Sequence, residues 1–296
     1  MPKQIIRVFP RWSEKRPWRS AKWHPRDSLV FHGDPPLIRP EADEVHISVA
    51  FSWDISAGKR LAEAWRQYYP RVRLGGPALC SDANSFIPGL YVKKGVTFTS
   101  RGCEHLCPWC LVPEREGRLR LLEPTPGYII QDNNLLQTGR THISKVFAML
   151  RQQTQSAEFS GGLEAALVDG WVAEELRGLR ITQVFLACDT DGALTPLQRA
   201  VNKLSFLGRD KLRCYVLLGY GGESLEAGLC RLIRVWEMGC LPFAQLYQPP
   251  DKWIDYPQEW RILTRTWSRP AATKAYMRGQ DGIRGQYSAG VRRDNA

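Results

Sequence analysis

The chain has 296 residues, 43% of them apolar, enough to bury a full core as one large or two smaller domains. No run of 18 apolar residues occurs, which excludes a membrane-spanning helix, and Met-Pro-Lys followed by a brief apolar run is too short for the core of a secretory leader. Three of the eight cysteines are clustered and five are scattered (Cys80, Cys188, Cys214, Cys230, Cys240), a pattern that excludes a disulfide framework and fits a reducing, cytoplasmic setting.

The net charge of +11 is carried by the ends: residues 1–26 hold +7, residues 251–296 hold +4, and the body between them is balanced. Residues 1–40 are rich in Pro, Arg and Trp, show no helical or strand period, and are expected to form a basic, extended lead segment. Trp12, Trp18 and Trp23 either anchor this arm across the body or stack on nucleic-acid bases while the cations meet phosphate. A regular pattern begins in the next segment, 41–92. It runs as a strand over Val45–Phe51, an amphipathic helix over Ser56–Tyr68 with Leu61, Ala64, Trp65 and Tyr68 on one stripe, and a strand over Val72–Pro77.

After a short strand at Val96–Thr99 comes Thr99-Ser-Arg-Gly-Cys-Glu-His-Leu-Cys-Pro-Trp-Cys110. Cys103, Cys107 and Cys110 are spaced C-x3-C-x2-C, close enough for their sulfurs to share one volume. Zinc would need a fourth protein ligand, with Cys80 or His105 as candidates. An iron–sulfur cube on three cysteines would keep one iron open. The spacing, with an aromatic residue (Trp109) before the last cysteine, resembles the cluster loop of the radical S-adenosylmethionine (SAM) superfamily. The flanking Thr99-Ser-Arg-Gly-Cys103 and Val112-Pro-Glu-Arg-Glu-Gly-Arg118 resemble its B12-domain and methylthiotransferase-like branch. The resemblance implies a [4Fe-4S] cluster on Cys103, Cys107 and Cys110, SAM on the open iron, and an electron donor such as flavodoxin or ferredoxin. It also implies reductive cleavage of SAM to a 5′-deoxyadenosyl radical. The unit at 41–92 resembles the closing half of that branch's cobalamin domain. The D-x-H-x-x-G signature is absent, since His24 and His32-Gly33 have other neighbours, so a truncated Rossmann-like lobe without B12 is expected.

From residue 93 to 250, strands and helices alternate. Strands are expected at Tyr128–Gln131, Ala157–Ser160, Ile181–Ala187, Leu212–Leu218 and Pro242–Tyr247. Helices are expected at Arg140–Gln152, Val168–Arg177, Pro196–Leu207 and Leu225–Met238. With Val96–Thr99 this makes six strands, which argues for an α/β fold with a parallel sheet curling towards a partial, TIM-like (βα)6 barrel, the core fold of the resembled superfamily.

Functional groups in such a fold stand at the C-terminal strand ends. By the resemblance, Asp132 and Asn133, with Asn134, would meet the SAM ammonium or the substrate. These residue types also favour a cap or turn unaided. Ser160, Gly161, Gly162 and Glu164 match the segment near the SAM carboxylate and ribose, with Ala166 where relatives carry arginine. Asp189 and Asp191 either hydrogen-bond ribose or make a turn. Gly219-Tyr-Gly-Gly-Glu223 resembles the G-x-P-G-E turn, with Gly221 in place of proline; Gly219, Gly221, Gly222 and Glu223 are its cofactor-binding candidates.

Beyond residue 250, a basic helical extension is expected, with Trp253, Trp260 and Trp267 at seven-residue spacing on one helix face, packed on the body or stacked on nucleic acid. A disordered tail follows from about Gly279. Cys188, Cys214, Cys230 and Cys240 read as small buried hydrophobes. The functional expectation is a radical SAM enzyme acting on a nucleic-acid or nucleotide-bearing substrate. The alternative is a non-enzymatic nucleic-acid-binding protein with a structural metal site.

Overall fold

A computed structural model describes residues 3–10, 23–79 and 87–279. Trp12, Trp18, Cys80 and the expected tail beyond Gly279 lie outside the described residues. The chain divides into two compact units, Met1–Ala157 with Gln248–Trp253, and Glu158–Tyr247 with Ile254–Ala296. This differs from the expected division at residues 40, 92 and 250.

In the first unit, β1 (Ile5–Phe9), β2 (Val30–His32), β3 (Glu44–Ser48) and β4 (Val72–Gly75) make a four-stranded parallel sheet in the order β2-β1-β3-β4. The expected extended lead segment is therefore corrected: it supplies one inner strand and one edge strand. Its four apolar residues, interrupted by Arg7 and flanked by Pro, Arg and Trp, show no period, yet Ile6 and Val8 are fully buried and Phe9 nearly so. Side chains buried on both faces are what the interior of a parallel sheet requires. Full burial of a Val or Ile side chain is worth about 1.5–3 kcal/mol, so Ile6, Val8, Val45 and Ile47 hold the β1–β3 pair firmly. Helix α1 (Ile55–Arg66) connects β3 to β4 and lays Leu61, Ala62 and Trp65 on this core; the Trp65 indole donates to Gly33 O at 3.0 Å. Trp23 packs locally, its ring 4.3 Å from the Lys93 ammonium.

The chain then forms β5 (Val96–Thr97), β6 (Ser100–Arg101), α2 (Val112–Glu116), β7 (Arg120–Leu121), β8 (Ile129–Ile130) and α3 (Arg140–Arg151). The expected strand Val96–Thr99 is cut short because Ser100 and Arg101 leave it to pair antiparallel with Leu121 and Arg120. After β9 (Ala157–Phe159) come α4 (Gly170–Arg177), β10 (Ile181–Ala187), α5 (Leu194–Lys203), the single turn α6 (Gly208–Lys211), β11 (Leu212–Leu218), α7 (Leu225–Glu237), β12 (Leu241–Leu246) and α8 (Gln258–Trp267). Two starts are capped by side chains, Asp169 accepting from Val172 N at 2.8 Å and Ser224 from Ala227 N at 3.2 Å.

Six parallel strands lie in the order β12-β11-β10-β9-β8-β5, each beside its predecessor in the series. The α/β class and the parallel sheet are as expected. Among the described residues the row does not close, β5 and β12 being its outer strands.

Helix α7 packs on β11 and β12. Leu212, Cys214, Val216 and Leu218, which alternate onto one face of β11, are all but fully buried. The expected three-tryptophan stripe is corrected. Helix α8 begins only after Pro257, which leaves Trp253 on the preceding loop with its ring edge-on to Trp53, while Trp267 is fully buried. No helix among the described residues is long and apolar enough to cross a membrane.

Candidate metal centre

The cysteine loop, residues 102–119, is spanned by the antiparallel pair β6–β7, so both of its ends are fastened. Gly102 opens it at φ +77°, where a Cβ would stand 2.1 Å from Arg118 O. Only glycine lets the backbone turn so close to the returning strand. Cys103 N then donates to Gly117 O at 3.3 Å, and Leu119 N to the Glu104 carboxylate at 3.0 Å.

Cys103 and Cys107 are half-buried and Cys110 is exposed; none of the three is in a disulfide. His105 N donates to Cys103 Sγ at 3.4 Å. Cys110 N donates to Cys107 O at 2.9 Å, making a turn between the last two cysteines. A cleft of about 170 Å³ beside the loop is lined by Cys103, Glu104, Leu106, Pro113, Gly117 and Arg118. Among the described residues no three His, Cys, Asp or Glu side chains are gathered as a metal ion would require. The donor set has the chemistry of a three-cysteine cluster site.

The structure gives Asp132 work inside the protein. It is 1% exposed, and its carboxylate accepts from Thr99 N (2.6 Å), Thr99 Oγ1 (2.5 Å) and Ser100 Oγ (2.7 Å). Burial pushes its pKa up, against hydrogen bonds from Thr99 and Ser100 that favour the carboxylate. His142 on α3 donates from Nε2 to Thr99 O at 2.8 Å, so the segment entering the loop is clamped on two sides. Asn133 Nδ2 donates to Glu116 Oε2 at 2.6 Å, and that carboxylate also accepts from Arg101 Nη2 at 2.6 Å and Gly102 N at 3.3 Å. Glu116 thereby joins the strand before the loop, the helix within it and the turn after β8. Gln137 accepts from Glu104 N at 3.0 Å and lies 3.5 Å from Cys103 Sγ.

Glu116 sits in the segment following the cysteines that the sequence singles out, without a role attached. Gln137 and His142 carry no local signal, being 34 and 43 residues from the groups they touch.

In the second unit, Ser160 is buried and its carbonyl accepts from Tyr215 OH at 2.8 Å. Gly162, at φ +95°, passes over the Tyr215 ring with room for a Cβ at 4.0 Å, and Gly161 joins it to Ser160. Glu164 precedes the short turn Ala165–Leu167, and Asp189 is half-buried just past β10. Gly219, Gly221 and Gly222 all have positive φ; a Cβ on Gly219 would meet the Tyr256 ring at 2.7 Å, whereas beside Gly221 and Gly222 there is open space. Glu223 is committed to the turn itself: Oε2 accepts from Gly219 N at 2.9 Å and Oε1 pairs with Arg231 at 2.6 Å.

Of the scattered cysteines, Cys188, Cys214 and Cys240 are fully buried, as expected, whereas Cys230 is exposed. Burial pushes the thiols of Cys188 and Cys240 up to about 12 and that of Cys214 well above its ordinary value.

No protein-family model matches this chain, and no curated protein does. The class defined so far is that of an α/β protein with a fastened three-cysteine loop after the first strand of a parallel sheet.

Proposed function

We propose that the chain is a radical SAM enzyme, with Cys103, Cys107 and Cys110 holding a [4Fe-4S] cluster and SAM on the iron that lacks a protein ligand. The observation that carries this reading is the C-x3-C-x2-C triplet in a loop fastened by β6 and β7, in the connection between β5 and β8 of a six-stranded parallel sheet. The row of strands with helical crossovers is compatible with a partial (βα)6 barrel. Loaded in this way, the centre supplies reductive cleavage of the SAM sulfonium and a 5′-deoxyadenosyl radical that takes hydrogen from a substrate.

The protein's part is to hold and shield that centre. Gly102 and Glu116 shape the loop, while Asp132 and His142 fix the strand that enters it. The open backbone at Gly221 and Gly222 suits close approach of a ligand. The reaction needs an external electron donor of flavodoxin or ferredoxin type and a reducing, cytoplasmic setting. The basic ends favour a nucleic-acid or nucleotide-bearing substrate.

Anaerobic reconstitution tests the reading. The wild-type chain should turn brown, hold iron in preference to zinc, and release 5′-deoxyadenosine from SAM when reduced, whereas Cys107→Ala should not. Full activity in Cys107→Ala would end the proposal. A colourless chain with one zinc would favour the non-enzymatic nucleic-acid-binding alternative.

A further inference from the structure

Two faces of the second unit's strands are used differently. On the face opposite Cys214 and Val216, exposure is greatest at the C-terminal strand ends. Phe185 is buried and Ala187 exposed; Arg213 is buried and Tyr215 and Leu217 half-buried; Leu241 is buried, Phe243 half-buried and Gln245 exposed. Register places Phe185 and Leu241 on either side of Arg213, and Phe243 beside Tyr215. The face is therefore an open trough with Arg213 at its closed end. From Arg213 to Leu217 it runs about 13 Å at the usual strand rise.

Arg213 is 8% exposed. Its guanidinium carbon lies 5.1 Å from the Phe185 ring centre and 5.0 Å from that of Phe243. Its Nε and Nη2 are buried and have no hydrogen-bond partner among the described residues. These two nitrogens form one edge of the guanidinium, the edge that grips a carboxylate or phosphate through two parallel hydrogen bonds. The acid whose charge it feels is Glu158 on β9. Burial lowers the Arg213 pKa, so the cation is held at a cost that a bound anion would offset. Beside it, Phe185 and Tyr215 stack at 4.4 Å and Phe243 meets Tyr215 edge-on at 5.6 Å, a wall suited to a flat apolar body.

We propose that Arg213 is the anion-recognition residue of a ligand-binding trough on β10–β12, which takes a small organic acid: a carboxylate or phosphate on a flat apolar body. The trough lies within the second unit and stands whether or not the cysteine loop carries iron.

The test is isothermal titration and saturation-transfer NMR of the full chain, purified without iron, with phenylacetate and phenyl phosphate as probes and phenylacetamide as the uncharged control. At least one anion should bind about tenfold or more tighter than the amide. Arg213→Met should erase that preference while melting at or above the wild-type temperature, because it removes a buried charge that has no internal partner. Arg213→Lys, which keeps charge but not the planar edge, should lose about tenfold in anion affinity. The proposal is overturned if wild type binds neither anion better than the amide, or if Arg213→Met and Arg213→Lys both leave the preference intact. It is equally overturned if Arg213→Met and Glu158→Gln lower the melting temperature alike, which would make Arg213 and Glu158 a structural pair.

Discussion

Replacing Asp132 by alanine should loosen the cysteine loop without touching a cysteine. The substitution strands three donors, Thr99 N, Thr99 Oγ1 and Ser100 Oγ, on residues that are 0% exposed. A buried donor left without an acceptor costs about 1–3 kcal/mol, and the two hydroxyls can swivel towards other acceptors, so about 3–5 kcal/mol is expected in total. Domain stabilities run at about 5–15 kcal/mol, so this is a large fraction of what the first unit has. Asp132→Asn keeps one acceptor for Thr99 N and lets the hydroxyls turn to accept, so it should cost only about 1–2 kcal/mol. Urea unfolding of the iron-free chain, followed by circular dichroism, reads both costs as shifts in midpoint. Iron retention after reconstitution and desalting should fall in the same order. If both variants unfold at the wild-type midpoint and only SAM affinity changes, Asp132 serves the ligand directly and the clamp reasoned from its hydrogen bonds is wrong.

Three other outcomes are expected. Gly102→Ala puts a Cβ 2.1 Å from Arg118 O at a positive φ, so it should cost about 2 kcal/mol or more and abolish iron uptake; a melting curve and an iron assay at wild-type values would contradict this. His24 lies against Phe9 with ring centres 3.7 Å apart and its Nδ1 2.9 Å from His32 Nε2; burial, then the His32 charge, lowers its pKa from 6.5 to about 4. The unfolded chain therefore binds more protons between pH 6.5 and about 4, so stability present above pH 6.5 is lost as pH falls, by about 2 kcal/mol after allowing for the ring's partial exposure. Urea midpoints measured across that range should show the loss, and His24→Gln should flatten it. Alkylation at pH 8 with peptide mass mapping should mark Cys103, Cys107, Cys110 and Cys230 and spare Cys188, Cys214 and Cys240; labelling Cys214 ahead of Cys230 would refute the burial argument.

The element series from β10 to β12 was legible because its periods are local. Ile181–Ala187 and Leu212–Leu218 are continuous apolar-rich runs, and α7 has its cap and stripe in the residues themselves. The strand Ile5–Phe9 was not legible: four apolar residues interrupted by Arg7 and flanked by Pro, Arg and Trp have no pattern of their own and become a strand only through pairing with β2 and β3. Trp253 misled for a related reason, since seven-residue spacing implies a shared face only where one helix runs through it, and here the helix starts after Pro257.

At the cysteine loop, residue type and spacing alone put three thiols within eight residues and so named the candidate ligand set. What holds their loop was decided by folding. Asp132, Gln137 and His142 reach it across 33, 34 and 43 residues, and a hydrogen bond over such separations leaves no period or motif in the chain. The same holds for Arg213. In the sequence it is one arginine inside an apolar strand, and only the register with β10 and β12 walls it with Phe185 and Phe243 and leaves one edge of its guanidinium unmatched. Local chemistry is written along the chain, whereas burial and partnership arise from the packing of distant strands.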